Sequence, residues 1–178
     1  MSGSVHRNGS FTHRSLIICL LLFGVGGCAY SFSSGLPSHI KTVAVPLLAN
    51  ETSEFGIAEE ITDQLVTALV KDGTLRIVTD EADATSVLVG TVRTYAEESY
   101  EYARDETVSQ FIIRIGVEVR FLDRVKDEVL WESERLFGSA LYPEPPYEDT
   151  GPEARAASLG KAINQVVEEI LSGMVAGW

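Results

Sequence analysis

The sequence predicts an α+β fold: a two-layer sandwich with two amphipathic helices packed on one face of a mixed four- to five-stranded sheet. Three observations carry this prediction. Phe111, Ile113, Ile115, Val117, Val119 and Phe121 alternate with Arg114, Gly116, Glu118 and Arg120, which gives one long strand a buried face and a wet one. Apolar residues recur at helical spacing in two segments, one from Ile57 and one from Leu159. Each helix must bury its stripe, and a sheet with one apolar face accepts both.

Each element has its own signal. Residues 40–45 form a β-branched run closed by Pro46, which reads as a first strand, and residues 47–56 read as a loop. The first helix sets Ile57, Ile61, Leu65, Val66 and Leu69 on one side. Glu59, Glu60 and Asp63 weight its N-terminal half with negative charge, Lys71 lies near its end and Gly73 stops it. Residues 75–78 make a short second strand, which completes a β-α-β start. Residues 85–95 and 108–122 read as the third and fourth strands. Residues 123–127 turn the chain, and 129–136 return as a fifth strand, so strands three to five form an antiparallel meander. The last helix opens on a capping box, with Thr150 at the cap, Pro152 in the first turn and Glu153 three residues on. Its stripe runs through Leu159, Ile163, Val166, Val167, Ile170, Leu171 and Met174.

The N-terminal stretch is of a different kind. Arg7, His13 and Arg14 precede an apolar run, residues 16–23, that is far shorter than the roughly 20 residues a bilayer span needs. The small residues that end it, Val25-Gly26-Gly27-Cys28, resemble the lipobox of bacterial lipoproteins. Three segments follow: a lipoprotein signal peptide at 1–27, a lipidated lead-in at 28–39 and an α+β domain at 40–178. The resemblance implies cleavage after Gly27 and a Cys28 that carries S-diacylglycerol and N-palmitoyl chains, enough acyl chains for a stable membrane tether. Ala29, in place of the Asp that marks inner-membrane retention, implies delivery to the outer membrane. The alternatives are a plain signal peptide with a chance cysteine, or a short membrane anchor.

Charge and chemistry exclude several classes. The whole chain carries a formal −12, and without residues 1–27 it has 26 acids against 12 Lys and Arg, or −14. That balance argues against nucleic acid as a partner, because phosphate binding needs clustered cations. Two of the three histidines, His6 and His13, fall in the signal segment. A nucleophilic mechanism would then rest on His39 alone, with no marked nucleophile nearby. No phosphate-cradling glycine loop, paired-histidine metal site or calcium-loop spacing occurs. The acidic pairs Glu97-Glu98 and Asp105-Glu106 read as a solvated hairpin. We expect a non-enzyme without cofactor or metal.

The stretch that begins Cys28-Ala-Tyr-Ser-Phe32 and runs through Leu36-Pro-Ser-His-Ile-Lys-Thr-Val-Ala-Val-Pro46 resembles the start of the mature LPS-assembly lipoproteins of the LptE family. The Asn50-Glu-Thr52 loop and the Glu59-Glu60 helix continue the resemblance, with Ala29 replacing the usual Gly. It implies two helices on a mixed sheet and an outer-membrane lipoprotein that assists lipopolysaccharide insertion. Such a protein acts as the plug of an LptD-like LPS-transport β-barrel, one to one, facing the periplasm or inside the barrel lumen. A polar open sheet face suits a polar lumen. Direct contact with lipopolysaccharide would need a local basic patch, which Arg93, Arg114 and Arg120 could supply; alternatively they pair with Glu118 and neighbouring acids. Tyr95, Tyr100 and Tyr102 in the connection between strands three and four could meet barrel or lipid, or simply pack the hairpin. The rival readings are a lipoprotein of the curli-secretion or penicillin-binding-protein-activator type, working through partners or rings, and a periplasmic hydrolase.

Overall fold

The computed structural model describes residues 36–102, 108–143 and 151–176. In chain order the elements are β1 (Thr42–Ala44), β2 (Ala49–Asn50), helix α1 (Ile57–Asp72), β3 (Arg76–Ile77), a 3-10 turn (Glu81–Asp83), β4 (Ser86–Tyr102), β5 (Val108–Asp123), β6 (Glu128–Pro143) and helix α2 (Gly151–Ala176). The sheet has the order β3-β1-β4-β5-β6, and β2 pairs with β4 beyond β1. β1 runs parallel to both β3 and β4, and β2 runs parallel to β4. β4, β5 and β6 are the expected antiparallel meander. The fold is therefore α+β with two helices on a mixed, open sheet, and it has six strands where four to five were expected.

The extra strand and the extra length have physical reasons. β2 lies inside the stretch expected to be a loop. Pro46 cannot donate to a ladder, so the first strand stops at Ala44 and pairing with β4 resumes at Ala49. Two residues carry no readable period. β4 continues seven residues past Tyr95 and β6 seven past Leu136, because both arms hydrogen-bond to the β5 half that begins at Val108. Glu97 and Glu98 thus lie exposed on a strand arm of the β4–β5 hairpin; Asp105 and Glu106 lie outside the described residues, as does Thr150 of the capping box.

Helix α1 begins and ends where its sequence signals place it. Gly73, at φ 72, closes it with its N–H on the Leu69 carbonyl. Ile57, Ile61, Leu65 and Leu69 are buried against Leu88, Val92 and the β5 face, while Ile163, Val166 and Ile170 of α2 complete the same core. Thr62 ties the layers together, accepting from the Leu48 N–H at 3.2 Å and donating to the Ala58 carbonyl at 2.6 Å. α2 lies close over β6: a Cβ at Gly138 would overlap the carbonyl oxygen of Ala162. The outer edge of β6 is bonded by the same helix. The Ser139 N–H donates to Gln165 Oε1 at 2.9 Å and Ser158 Oγ donates to the Leu141 carbonyl at 3.1 Å, so α2 covers an edge that would otherwise invite another strand.

Candidate interaction surface

Cross-strand partners point to the same side of a sheet. Residues paired with Arg114, Gly116 and Arg120 therefore share the face turned away from the helices. Gln110 faces Pro143, Ile112 faces Leu141, Arg114 faces Ser139 and Gly116 faces Phe137. This face is not uniformly polar, as the β5 pattern alone suggests. Phe137 is 58% exposed and Leu141 44% exposed, and the Phe137 ring lies over Gly116, where the missing side chain makes room for it.

The three arginines singled out from the sequence do not form one basic patch. Arg93 sits at an irregularity in the β4–β5 register between Val92 and Thr94. Its Nε and Nη2 donate to Glu118 Oε2 at 2.8 and 2.7 Å, and its Nη1 donates to Glu51 at 2.5 Å. Those bonds, Glu51 first, hold the guanidinium more firmly protonated than usual. Arg114 pairs with Glu98. Arg120, six residues along β5 and so roughly 20 Å from Arg114, is exposed and makes no ion pair among the described residues. Arg93 and Arg114 thus have carboxylate partners, Glu118 among them, and only Arg120 offers an unpaired charge. Cys28 lies outside the described residues.

A second cluster, on the helix side of the projecting arms, was not visible in the sequence. Glu97 accepts from Tyr142 Oη, from Tyr95 Oη at 3.0 Å and from Arg155 Nε at 2.9 Å. The Nη2 of Arg155 also donates to Glu54 at 2.9 Å and to Tyr95 Oη at 2.7 Å. Burial would push the Glu97 carboxyl up, but the bonds from Tyr142, Arg155 and Tyr95 outweigh it and hold the group below its ordinary value. Burial and the Glu97 charge push the Tyr142 phenol up to about 12 and Tyr95 higher still. Phe111 stacks on Tyr142 with ring centroids 5.4 Å apart. The cluster joins β4, β6, the Glu54 loop and the first turns of α2.

His39 is placed in the same way, as a link. Its Nε2 lies 2.5 Å from Oδ2 of the buried Asp123, whose Oδ1 accepts the N–H groups of Val125 and Lys126 in the β5–β6 turn. Burial would raise the Asp123 carboxyl, and these three bonds, His39 first, bring it below its ordinary value. Its one hydrogen bond among the described residues goes to this carboxylate. Among those residues, too, no cluster of three or more His, Cys, Asp or Glu is arranged to hold a metal ion, and no helix is long and apolar enough to cross a membrane.

These features describe a small α+β domain with a broad exposed sheet face and arms braced by polar networks. A family model described as LptE, lipopolysaccharide-assembly, matches residues 40–174, well over half of the chain. The protein belongs to the LptE family. None of the curated proteins matches the sequence significantly. Among solved structures, a protein from Xanthomonas campestris is similar at 14% identity and TM-score 0.55, over 76% of this chain and 84% of that one. A minor lipoprotein from Acinetobacter baumannii is similar at 16% identity and TM-score 0.52, over 79% and 94%. Lipoprotein B from Nitrosomonas europaea is similar at 14% and 0.51, over 81% and 89%. At these identities the likeness is one of fold.

Proposed function

We propose that this protein is an outer-membrane lipoprotein that assists lipopolysaccharide assembly as the one-to-one plug partner of an LptD-like β-barrel. The family match over residues 40–174 carries the reading. The lipobox-like Val25-Gly26-Gly27-Cys28 supports it, with cleavage after Gly27 and acylation of Cys28 tethering the 40–178 domain to the membrane. The domain acts through surfaces and not as an enzyme.

The surface assigned to the barrel or to lipopolysaccharide is the open sheet face. It combines the exposed apolar pair Phe137 and Leu141 with polar and charged neighbours, a mixture that suits an interaction patch. Arg120, which lies across the ladder from Glu132 but makes no ion pair among the described residues, is one cation on it open to a phosphate, with Arg93 and Arg114 becoming available only if they exchange their carboxylate partners. The test is to purify the mature protein from envelopes in mild detergent and measure what accompanies it. The expected result is an outer-membrane barrel in equimolar amount. A ring of the protein alone would replace this reading with the ring-forming one.

A further inference from the structure

Where the helix layer ends, the fold leaves an apolar cavity of about 320 Å³, at the small end of the ~300–1,000 Å³ typical of ligand sites. Its walls are Leu36, Leu69 at the end of α1, Leu75 just after it, and Leu171 and Met174 near the end of α2. Val175, 53% exposed, stands at the mouth. All six side chains are apolar, so the interior favours a hydrocarbon group over water.

The charge at its opening is one-sided. The last turns of both α1, which ends at Asp72, and α2, which ends at Ala176, line the same cavity. A helix C-terminus is the negative pole of the helix dipole, so two negative poles meet here. Asp72 adds a full negative charge at the rim. It is exposed, its carboxylate accepts the Thr74 N–H at 3.2 Å, and it makes no ion pair among the described residues. No described residue that lines the cavity is a cation. Lys71, in the last turn of α1, lines the neighbouring groove between the helices, together with Asp63 and Glu168. We propose that the cavity binds a small amphiphile with one alkyl chain and a cationic amine head. The chain lies among the leucines, and the ammonium sits at Asp72 and the helix ends. A carboxylate or phosphate head would meet like charge there, so fatty acids and the phosphates of lipopolysaccharide are disfavoured. The site is therefore separate from the open sheet face and needs no barrel.

Calorimetric titration with octylammonium, octanol and octanoate tests it, on the chain purified without the signal segment so that no detergent is needed. Octylammonium is expected to bind about tenfold more tightly than octanoate, with octanol between them. Asp72→Asn should weaken octylammonium by about threefold and leave octanol unchanged. Val175→Trp, which fills the mouth, should abolish binding of all three. Octanoate binding as tightly as octylammonium, or no binding of octylammonium, overturns the proposal. Methyl NMR locates the ligand in the unaltered protein. Of the two methionines, Met1 and Met174, only the second lies in the cavity wall, and its resonance is expected to shift with octylammonium. A Met174 resonance that stays still while octylammonium binds places the ligand elsewhere, and this too overturns the proposal.

Discussion

Arg155 and Glu97 are 58 residues apart in sequence and 2.9 Å apart in space, and their contact braces the far end of the meander against the start of α2. Glu97 also receives both tyrosine hydroxyls, so Arg155→Met would leave a carboxylate with two neutral donors, and would leave Glu54 without its cation. With a third of the Arg155 side chain exposed, solvent screening limits the cost to about 1–2 kcal/mol. Urea denaturation of the purified protein measures it. Glu97→Gln should cost a similar amount, and the double variant less than the sum, because the two residues share one network.

The pH dependence of this cluster has a definite sign at both ends. The Glu97 carboxyl lies below its unfolded value, so its contribution is present above about pH 4 and is lost as pH falls through the folded value. The Tyr142 phenol lies at about 12 when folded, above its unfolded value near 10. Its contribution is fully present below pH 10 and disappears as pH rises toward 12. Stability of Tyr142→Phe measured from pH 8 to 12 should therefore fall less steeply over the alkaline range than that of the unaltered protein.

Asp123 is the hub of the other end. One buried carboxylate serves the His39 ring and two backbone N–H groups of the β5–β6 turn. Asp123→Ala leaves three donors short of a partner and should cost about 2–3 kcal/mol, while His39→Ala removes one partner and should cost about 1 kcal/mol. Equal costs would mean that the turn does not depend on the carboxylate. Because the folded Asp123 value is lowered, its contribution is present above about pH 4 and is lost as pH falls through the folded value.

What the sequence conveyed was local. The start at Ile57 and the stop at Gly73 rest on periodicity and a cap within a few residues, and the β5 face on an unbroken alternation. What it hid was set by partners far along the chain. Residues 96–102 are acidic and tyrosine-rich and look like loop, yet they continue β4 because β5 offers a ladder. The acid nearest to Arg155 in sequence is Glu153, which at a spacing of two does not face it on a helix; the carboxylates it binds come from 58 and 101 residues away. The neutralisation of Arg93 by Glu51 and Glu118 is of the same kind, since parity placed Arg93 on the open face but could not show the acids gathered around it.

Close packing at Gly138 gives a prediction that separates seating of α2 from sheet formation. A methyl group there meets the backbone oxygen of Ala162, which cannot swing away as a side chain tip would. Gly138→Ala should therefore destabilise by about 2 kcal/mol. The helix must also shift, which strains the bonds from Gln165 and Ser158 that cover the β6 edge. Hydrogen exchange should rise at Ser139 while the β4–β5 ladder stays protected, and an unchanged Ser139 rate would show that the helix does not guard the edge.

The open sheet face can be tested without disturbing the core. Leu141 is 44% exposed on that face, so Leu141→Glu should change stability by no more than about 0.5 kcal/mol. If the face meets a barrel, the same substitution places an unpaired charge in the middle of the contact and should reduce recovery of the barrel with the protein by about tenfold or more. Arg120→Ala supplies the contrast. It removes a charge that no described carboxylate holds, so it should weaken binding to lipopolysaccharide while leaving stability unchanged. Loss of barrel recovery with Leu141→Glu but undiminished lipopolysaccharide binding with Arg120→Ala would assign the face to the protein partner alone. Full recovery with Leu141→Glu would move the barrel contact to another surface.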